Sequence, residues 1–232
     1  MRKRYSNPIE RLSYMLRSVI LDFDGTLNTS KRYYARFDEL ALQILAEQFG
    51  CTIPDADRKI TEVKRKSLSL TKALHSLNID SDEFYRKVAE QMDMAYLLDE
   101  DLRIEPLIST LRSRNLRVAL LTNSGRFLIK KVLTAVKCPS EIFDAVITSS
   151  EVDPKPSLQP FRYTAHLLDC KPDEALYVGD RVYHELKPAK LAGMKTALIG
   201  TVSKPEETQW VDWQLETVHE LPELIATNPS LA

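Results

Sequence analysis

The chain has little to offer sulfur chemistry. Its three cysteines, Cys51, Cys138 and Cys170, are scattered and odd in number, so neither a disulfide framework nor a thiolate metal site is expected. It has no charge excess either. Lys and Arg number 32 against 33 Asp and Glu, a net charge of −1, which removes the electrostatic case for nucleic acid as a partner. No apolar run approaches the roughly 18 residues that span a bilayer, and no signal-peptide core follows the basic start Met1-Arg2-Lys3-Arg4. These absences lead us to expect a cytoplasmic protein that touches neither membrane nor nucleic acid. What remains is ordinary globular material: 232 residues, 44% of them hydrophobic, enough for one core domain carrying a smaller inserted one.

The apolar run Val19 to Leu21 closes on Asp22-Phe23-Asp24-Gly25-Thr26-Leu27. If the run is a buried strand, Asp22 and Asp24 stand at its carboxyl end on one side. Neighbouring carboxylates raise each other's pKa unless something positive lies beside them, so the pair implies a hard cation, a shared proton, or both. Further apolar runs cover Arg117 to Leu121, Ala145 to Thr148, Ala175 to Val178 and Lys195 to Ile199, with an edge strand from Trp213. Helical spacing separates them, as in Leu128, Val132 and Val136. Strands alternating with helices predict a parallel sheet.

Between 29 and 104 no strand is legible. Phe37, Leu40, Ala41, Ile44 and Leu45 mark a long helix that Gly50 stops. Short helices follow near 60–66 and 68–77. A clearer one over 81–98 carries Phe84, Val88, Met92 and Tyr96. The predicted fold is therefore α/β: a Rossmann-like parallel sheet with helices on both faces, built from 1–28 and 105–232, with an all-helical cap of 29–104 inserted after the first strand. Asn7-Pro8 is read as the start of a short N-terminal helix.

Four polar clusters end four predicted strands or their following loops: Asp22 with Asp24, Thr122-Asn123-Ser124, Lys155, and Asp180. In an open α/β sheet that edge is where ligands bind. Lys155 lies between two prolines, which hold its backbone extended. Lys130 and Lys131, the competing cations, fall within a helix. In order and type the clusters resemble the four motifs of the haloacid dehalogenase-like hydrolase superfamily, in its phosphatase form. The resemblance covers roughly 17–28 and 105–200.

That resemblance implies a Mg²⁺ held by the carboxylates of Asp22 and Asp180 and by the backbone carbonyl of Asp24, with Asp22 as the nucleophile that forms an aspartyl-phosphate. Asp24 is expected to protonate the leaving oxygen and then activate water. Thr122, Asn123 and Lys155 are expected to bind the phosphate, and Thr26 and Glu185 to stand one layer behind the metal ligands. The family's usual second acid in the last motif is Asp. Here position 184 is His and 185 is Glu, so Glu185 takes that place and His184 is read as an exposed histidine.

Asp24 argues against a dehalogenase, which needs no acid for an alkoxide. The lack of membrane spans argues against a transport ATPase. The expectation is thus a phosphatase for a small phosphorylated metabolite, of phosphoglycolate or nucleotide type, acting as monomer or homodimer. A phosphomutase on the same scaffold and a non-catalytic phosphate-binding module are the alternatives. Arg32, Tyr33 or Tyr34 are expected to face substrate, and Lys64-Arg65-Lys66 is read either as a solvated helix face or as an electropositive lip over the site.

Overall fold

The computed structural model describes residues 15–98, 100–228 and 231; the helix expected from Asn7-Pro8 lies outside them. Six strands, β1 (Ser18–Leu21), β2 (Arg117–Leu121), β3 (Ala145–Ile147), β4 (Ala175–Gly179), β5 (Lys195–Ile199) and β6 (Trp213–Leu215), form one parallel sheet in the order β3-β2-β1-β4-β5-β6. The chain moves outward from β1 through β2 to β3, then crosses back to β4. Strand order reverses between β1 and β4, which opens a crevice at their carboxyl ends.

The helices are α1 (Lys31–Phe49), α2 (Ile53–Ser67), α3 (Leu70–Ser76), α4 (Ser81–Gln91), the single turn α5 (Met94–Leu97), α6 (Ile104–Ser113), α7 (Arg126–Ala135), α8 (Gln159–Leu167), α9 (Lys187–Leu191) and α10 (Leu221–Thr227). Every residue of β1 and β4 is buried, because a parallel sheet is covered on both faces. Strand alternation sorts them. Val19, Leu21, Leu120 and Val178 pack with α6, α7 and α10, whereas Ile20, Leu121 and Tyr177 pack with α8 and α9. Burying each large apolar side chain contributes about 1.5–3 kcal/mol, so the ends of β1 and β4 are firmly anchored.

Between β1 and α6 the described residues form helices, apart from an isolated bridge between Asp24 and Asn28. Ser30, Thr52, Ser69 and Asp80 each cap a helix start with a side-chain oxygen, and Gly50 ends α1 in the left-handed conformation. The apolar faces of α1 and α4 join the same core as α6 and α7. The single helix predicted over 81–98 is corrected. It stops at Gln91, Met92 is extended, and Asp93 caps the new turn α5. The break is held from α7, where Lys131 Nζ donates to the carbonyl of Met92 (3.0 Å), which the helix end leaves open, and to that of Ala89 (2.5 Å), which also accepts the Met92 N–H.

Candidate active site

Asp22 follows β1 directly, its N–H donating to the carbonyl of Val178 on β4. Its carboxylate is almost wholly buried, and Oδ1 accepts from Lys155 Nζ at 2.6 Å. The same ammonium donates to Glu185 Oε1 (2.9 Å), the Tyr177 hydroxyl (2.8 Å) and the Leu121 carbonyl (3.1 Å). A lysine has three protons for these four acceptors, so Lys155 is fully engaged at the point where β1, β2 and β4 end.

Asn123 fixes the backbone of Lys155. Its Oδ1 accepts from the Lys155 N–H (2.7 Å) and its Nδ2 donates to the Lys155 carbonyl (2.8 Å). Asn123 is held in turn from the helical segment: Nδ2 also donates to Ser69 Oγ (3.2 Å), and its carbonyl accepts from Thr71 Oγ1 (2.8 Å). This occupies side-chain groups that were expected to meet phosphate. Thr122 is buried, its hydroxyl accepting from the Ser124 N–H at 3.1 Å. Ser124 Oγ donates to Asp24 Oδ2 at 3.2 Å, which aims Asp24 toward the turn after β2.

The turn after β1 brings Asp180 close. Gly25 has φ +89°, and a Cβ there would overlap the Asp180 carboxylate, so the approach requires a residue without one. Gly179 likewise leaves room for the Glu185 carboxylate. Glu185 reaches inward because the chain makes a wide helical turn, Val182–Leu186, before α9. One oxygen from each of Asp22, Asp180 and Glu185 lies within 4.8 Å of the others. Asp22 Oδ2, Asp180 Oδ1 and Glu185 Oε2 are buried with no hydrogen-bond partner among the described residues. Three convergent carboxylates, each with one oxygen free of a protein partner, suit a hard divalent cation such as Mg²⁺. Thr26, in the turn after β1, is buried with its hydroxyl unpaired among the described residues.

The electrostatics follow from four carboxylates facing one ammonium. Burial, then the charge of Glu185, lifts Asp22 well above the usual carboxylate range against the pull of Lys155. Burial pushes Asp24 up to about 6, opposed by the Ser124 hydroxyl. Asp180 also rises to about 6, by burial and by Glu185. Burial alone would lower Lys155, but the Asp22 and Glu185 carboxylates outweigh it and raise it. His184 is half-buried and falls to about 4, through burial and then Arg181, so it is less exposed than expected.

A cleft of about 230 Å³ opens beside Asp24, lined among others by Tyr33, Tyr34, Phe37, Lys64, Tyr85 and Arg181. Tyr33 and Tyr34 thus stand at the site, although the Tyr34 hydroxyl is committed to the loop, donating to the Asn28 carbonyl (2.5 Å) and accepting from the Gly25 N–H (2.7 Å). Arg32 instead lies over the Tyr96 ring and lines a different depression. Of the basic run, Lys64 reaches the cleft wall.

With this geometry in view, a profile of the haloacid dehalogenase-like hydrolase family matches residues 19–199. The chain belongs to that family. The hydrolase is 26% identical to the pyrophosphatase PpaX of Bacillus anthracis over 220 residues, 89% of this chain and 94% of that protein. Its fold is shared with a HAD phosphatase from Thermococcus onnurineus (TM-score 0.69, 23% identity, 92% of this chain and 100% of the other). It is shared too with a putative beta-phosphoglucomutase from Thermotoga maritima (TM-score 0.61, 19% identity, 91% and 99%). No helix among the hydrolase's described residues is long and apolar enough to cross a membrane. Sequence reasoning missed Tyr177, Ser69 and Thr71. Tyr177 sits inside an apolar strand and reads as core; only its placement against Lys155, 22 positions away, reveals its polar contact.

Proposed function

We propose that the hydrolase is a magnesium-dependent phosphatase acting on a small organic phosphate monoester through an aspartyl-phosphate on Asp22. The observation that carries this reading is the asymmetry of Asp22: Lys155 clamps one oxygen at 2.6 Å and the other has no protein partner. An oxygen so held is oriented for attack without first shedding a hydrogen bond. Asp22, Asp180 and the Asp24 carbonyl would hold the cation, with Glu185 beside them. When bound, Mg²⁺ supplies positive charge that offsets the charge building on the phosphoryl oxygens.

The remaining steps belong to the chain's own groups. Asp22 attacks phosphorus as the bond to the leaving oxygen breaks. Asp24, held above the ordinary carboxylate range, delivers its proton to that oxygen, then takes a proton from the water that cleaves the acyl phosphate. Lys155 offsets charge on the carboxylates, and the Asn123 N–H, in the turn after Thr122, donates to a phosphoryl oxygen. Residues 29–104 would act as the cap that keeps bulk water from the intermediate. The Bacillus relatives' name favours pyrophosphate as a second reading, in which phosphate replaces the alkoxide as leaving group.

The test compares Mg²⁺-dependent hydrolysis of an alkyl and an aryl phosphate by the wild type and by Asp24→Asn. Read as kcat/KM, which reports the steps up to release of the leaving group, loss of a general acid should cost the alkyl ester about 100-fold or more and the aryl ester, whose leaving group needs no proton, much less. Equal losses on both would remove the acid role from Asp24. Absence of any metal-dependent hydrolysis in the wild type would overturn the phosphatase reading.

A further inference from the structure

The cleft beside Asp24 holds more positive charge than the reaction centre uses. Lys155 is consumed by Asp22, Glu185, Tyr177 and Leu121. Two further cations line the cleft, Lys64 from α2 and Arg181 immediately after Asp180. Both are exposed, and neither side chain makes an ion pair or hydrogen bond among the described residues. Asp38 of α1 is the one other charged group on that wall besides Asp24. Apart from Asp24, which belongs to the reaction centre, that wall therefore bears two positive groups against one carboxylate.

Size narrows the occupant further. About 230 Å³, at roughly 30 Å³ per water, is the room of some seven or eight waters. A phosphoryl group with a leaving group of about two to four carbons, or a second phosphate, fits that space. Cations left without a protein partner in a small, partly apolar cleft are the arrangement that recognises an anion on a ligand.

We propose that Lys64 and Arg181 form a subsite for a negative group on the leaving half of the substrate, so that the hydrolase takes short phosphates whose leaving group carries its own carboxylate or phosphate. This rests on the phosphatase reading above. It explains why one cation comes from the inserted helical segment and the other from the sheet edge: the ligand's own charge bridges the two and draws them together. The three charges favour a singly charged group, hence a carboxylate over a phosphate.

The test measures kcat/KM with Mg²⁺ for phosphoglycolate, pyrophosphate and hydroxyethyl phosphate, the uncharged counterpart of phosphoglycolate. The wild type is expected to prefer an anionic leaving group. Lys64→Met and Arg181→Met should each reduce the ratio of anionic to uncharged substrate about tenfold, the size of one charge-assisted hydrogen bond, mainly through KM. Lys64→Arg should retain the preference, which separates charge from a folding defect. Asp38→Asn should shift preference from phosphoglycolate toward pyrophosphate. If the wild type hydrolyses the uncharged ester as well as the anionic ones, or if neither Met variant moves the ratio, the subsite is wrong while the phosphatase reading stands. If the wild type hydrolyses no phosphate at all, aryl phosphate included, both fall.

Discussion

Replacing Lys155 by Met keeps most of the side-chain volume and removes one buried charge. In the folded protein Nζ bonds Asp22 Oδ1 at 2.6 Å and Glu185 Oε1 at 2.9 Å, with the Tyr177 hydroxyl and the Leu121 carbonyl completing its set. Without it two buried carboxylates face each other with no counter-charge. Breaking a buried pair by removing one partner costs about 3–5 kcal/mol. The protein can relieve part of this by keeping Asp22 protonated, since its carboxyl already stands well above the usual range and Lys155 is what pulls it down. The sign follows directly. A carboxyl raised in the folded state binds its proton more tightly there than in the unfolded chain, so its stabilising contribution is complete below about pH 4 and is lost as pH rises through the folded value. Removing Lys155 raises that folded value further. Between the wild-type and variant values the stability gap should widen by about 1.4 kcal/mol per pH unit. Urea unfolding in chelator at about pH 5.5 and about pH 8 should show the larger loss at the higher pH. A loss below about 1 kcal/mol at both, the size of an exposed ion pair, would refute the assignment of Lys155 as the buried counter-ion.

Two further perturbations test the scaffold around the site. Gly25→Ala places a Cβ against the Asp180 carboxylate at φ +89°; it should cost about 1–3 kcal/mol and raise the Mg²⁺ concentration needed for half-maximal activity, and unchanged metal dependence would mean Asp180 is not where the cation binds. Lys131→Met removes the donor of the Met92 carbonyl and the second donor of the Ala89 carbonyl; it should lower stability by about 1–3 kcal/mol and speed proteolytic cutting between α4 and α5, whereas unchanged cutting would show that Asp93 alone holds the break.

How much of this was legible follows from where the determinants lie. Asp22 and Asp180 each close a short apolar run, so strand reading alone set them at the sheet edge where the structure has them. Lys155 stood out through its flanking prolines. Asp24 was legible through its spacing from Asp22, whereas the turn at Gly25 that admits the Asp180 carboxylate was not. The break at Met92 was not readable: Phe84, Val88, Met92 and Tyr96 keep helical period, and the interruption depends on Lys131 from another helix. The grip of Asn123 on Lys155, and of Ser69 and Thr71 on Asn123, also spans long separations. Such contacts are products of tertiary packing and leave no local pattern. Glu185 was readable as an acid, but its inward reach depends on the wide turn at Val182–Leu186 and on the missing Cβ of Gly179.

In the proposed reaction Asp22 attacks phosphorus. Rapid acid quenching of the wild type with Mg²⁺ and a phosphoryl-labelled substrate, followed by peptide mapping, tests it most directly. The expected result is a hydroxylamine-labile phosphoryl group on the peptide containing Asp22, and none in Asp22→Asn, which should also lose hydrolysis. Label on another residue, or an Asp22→Asn protein that still turns over, would contradict it.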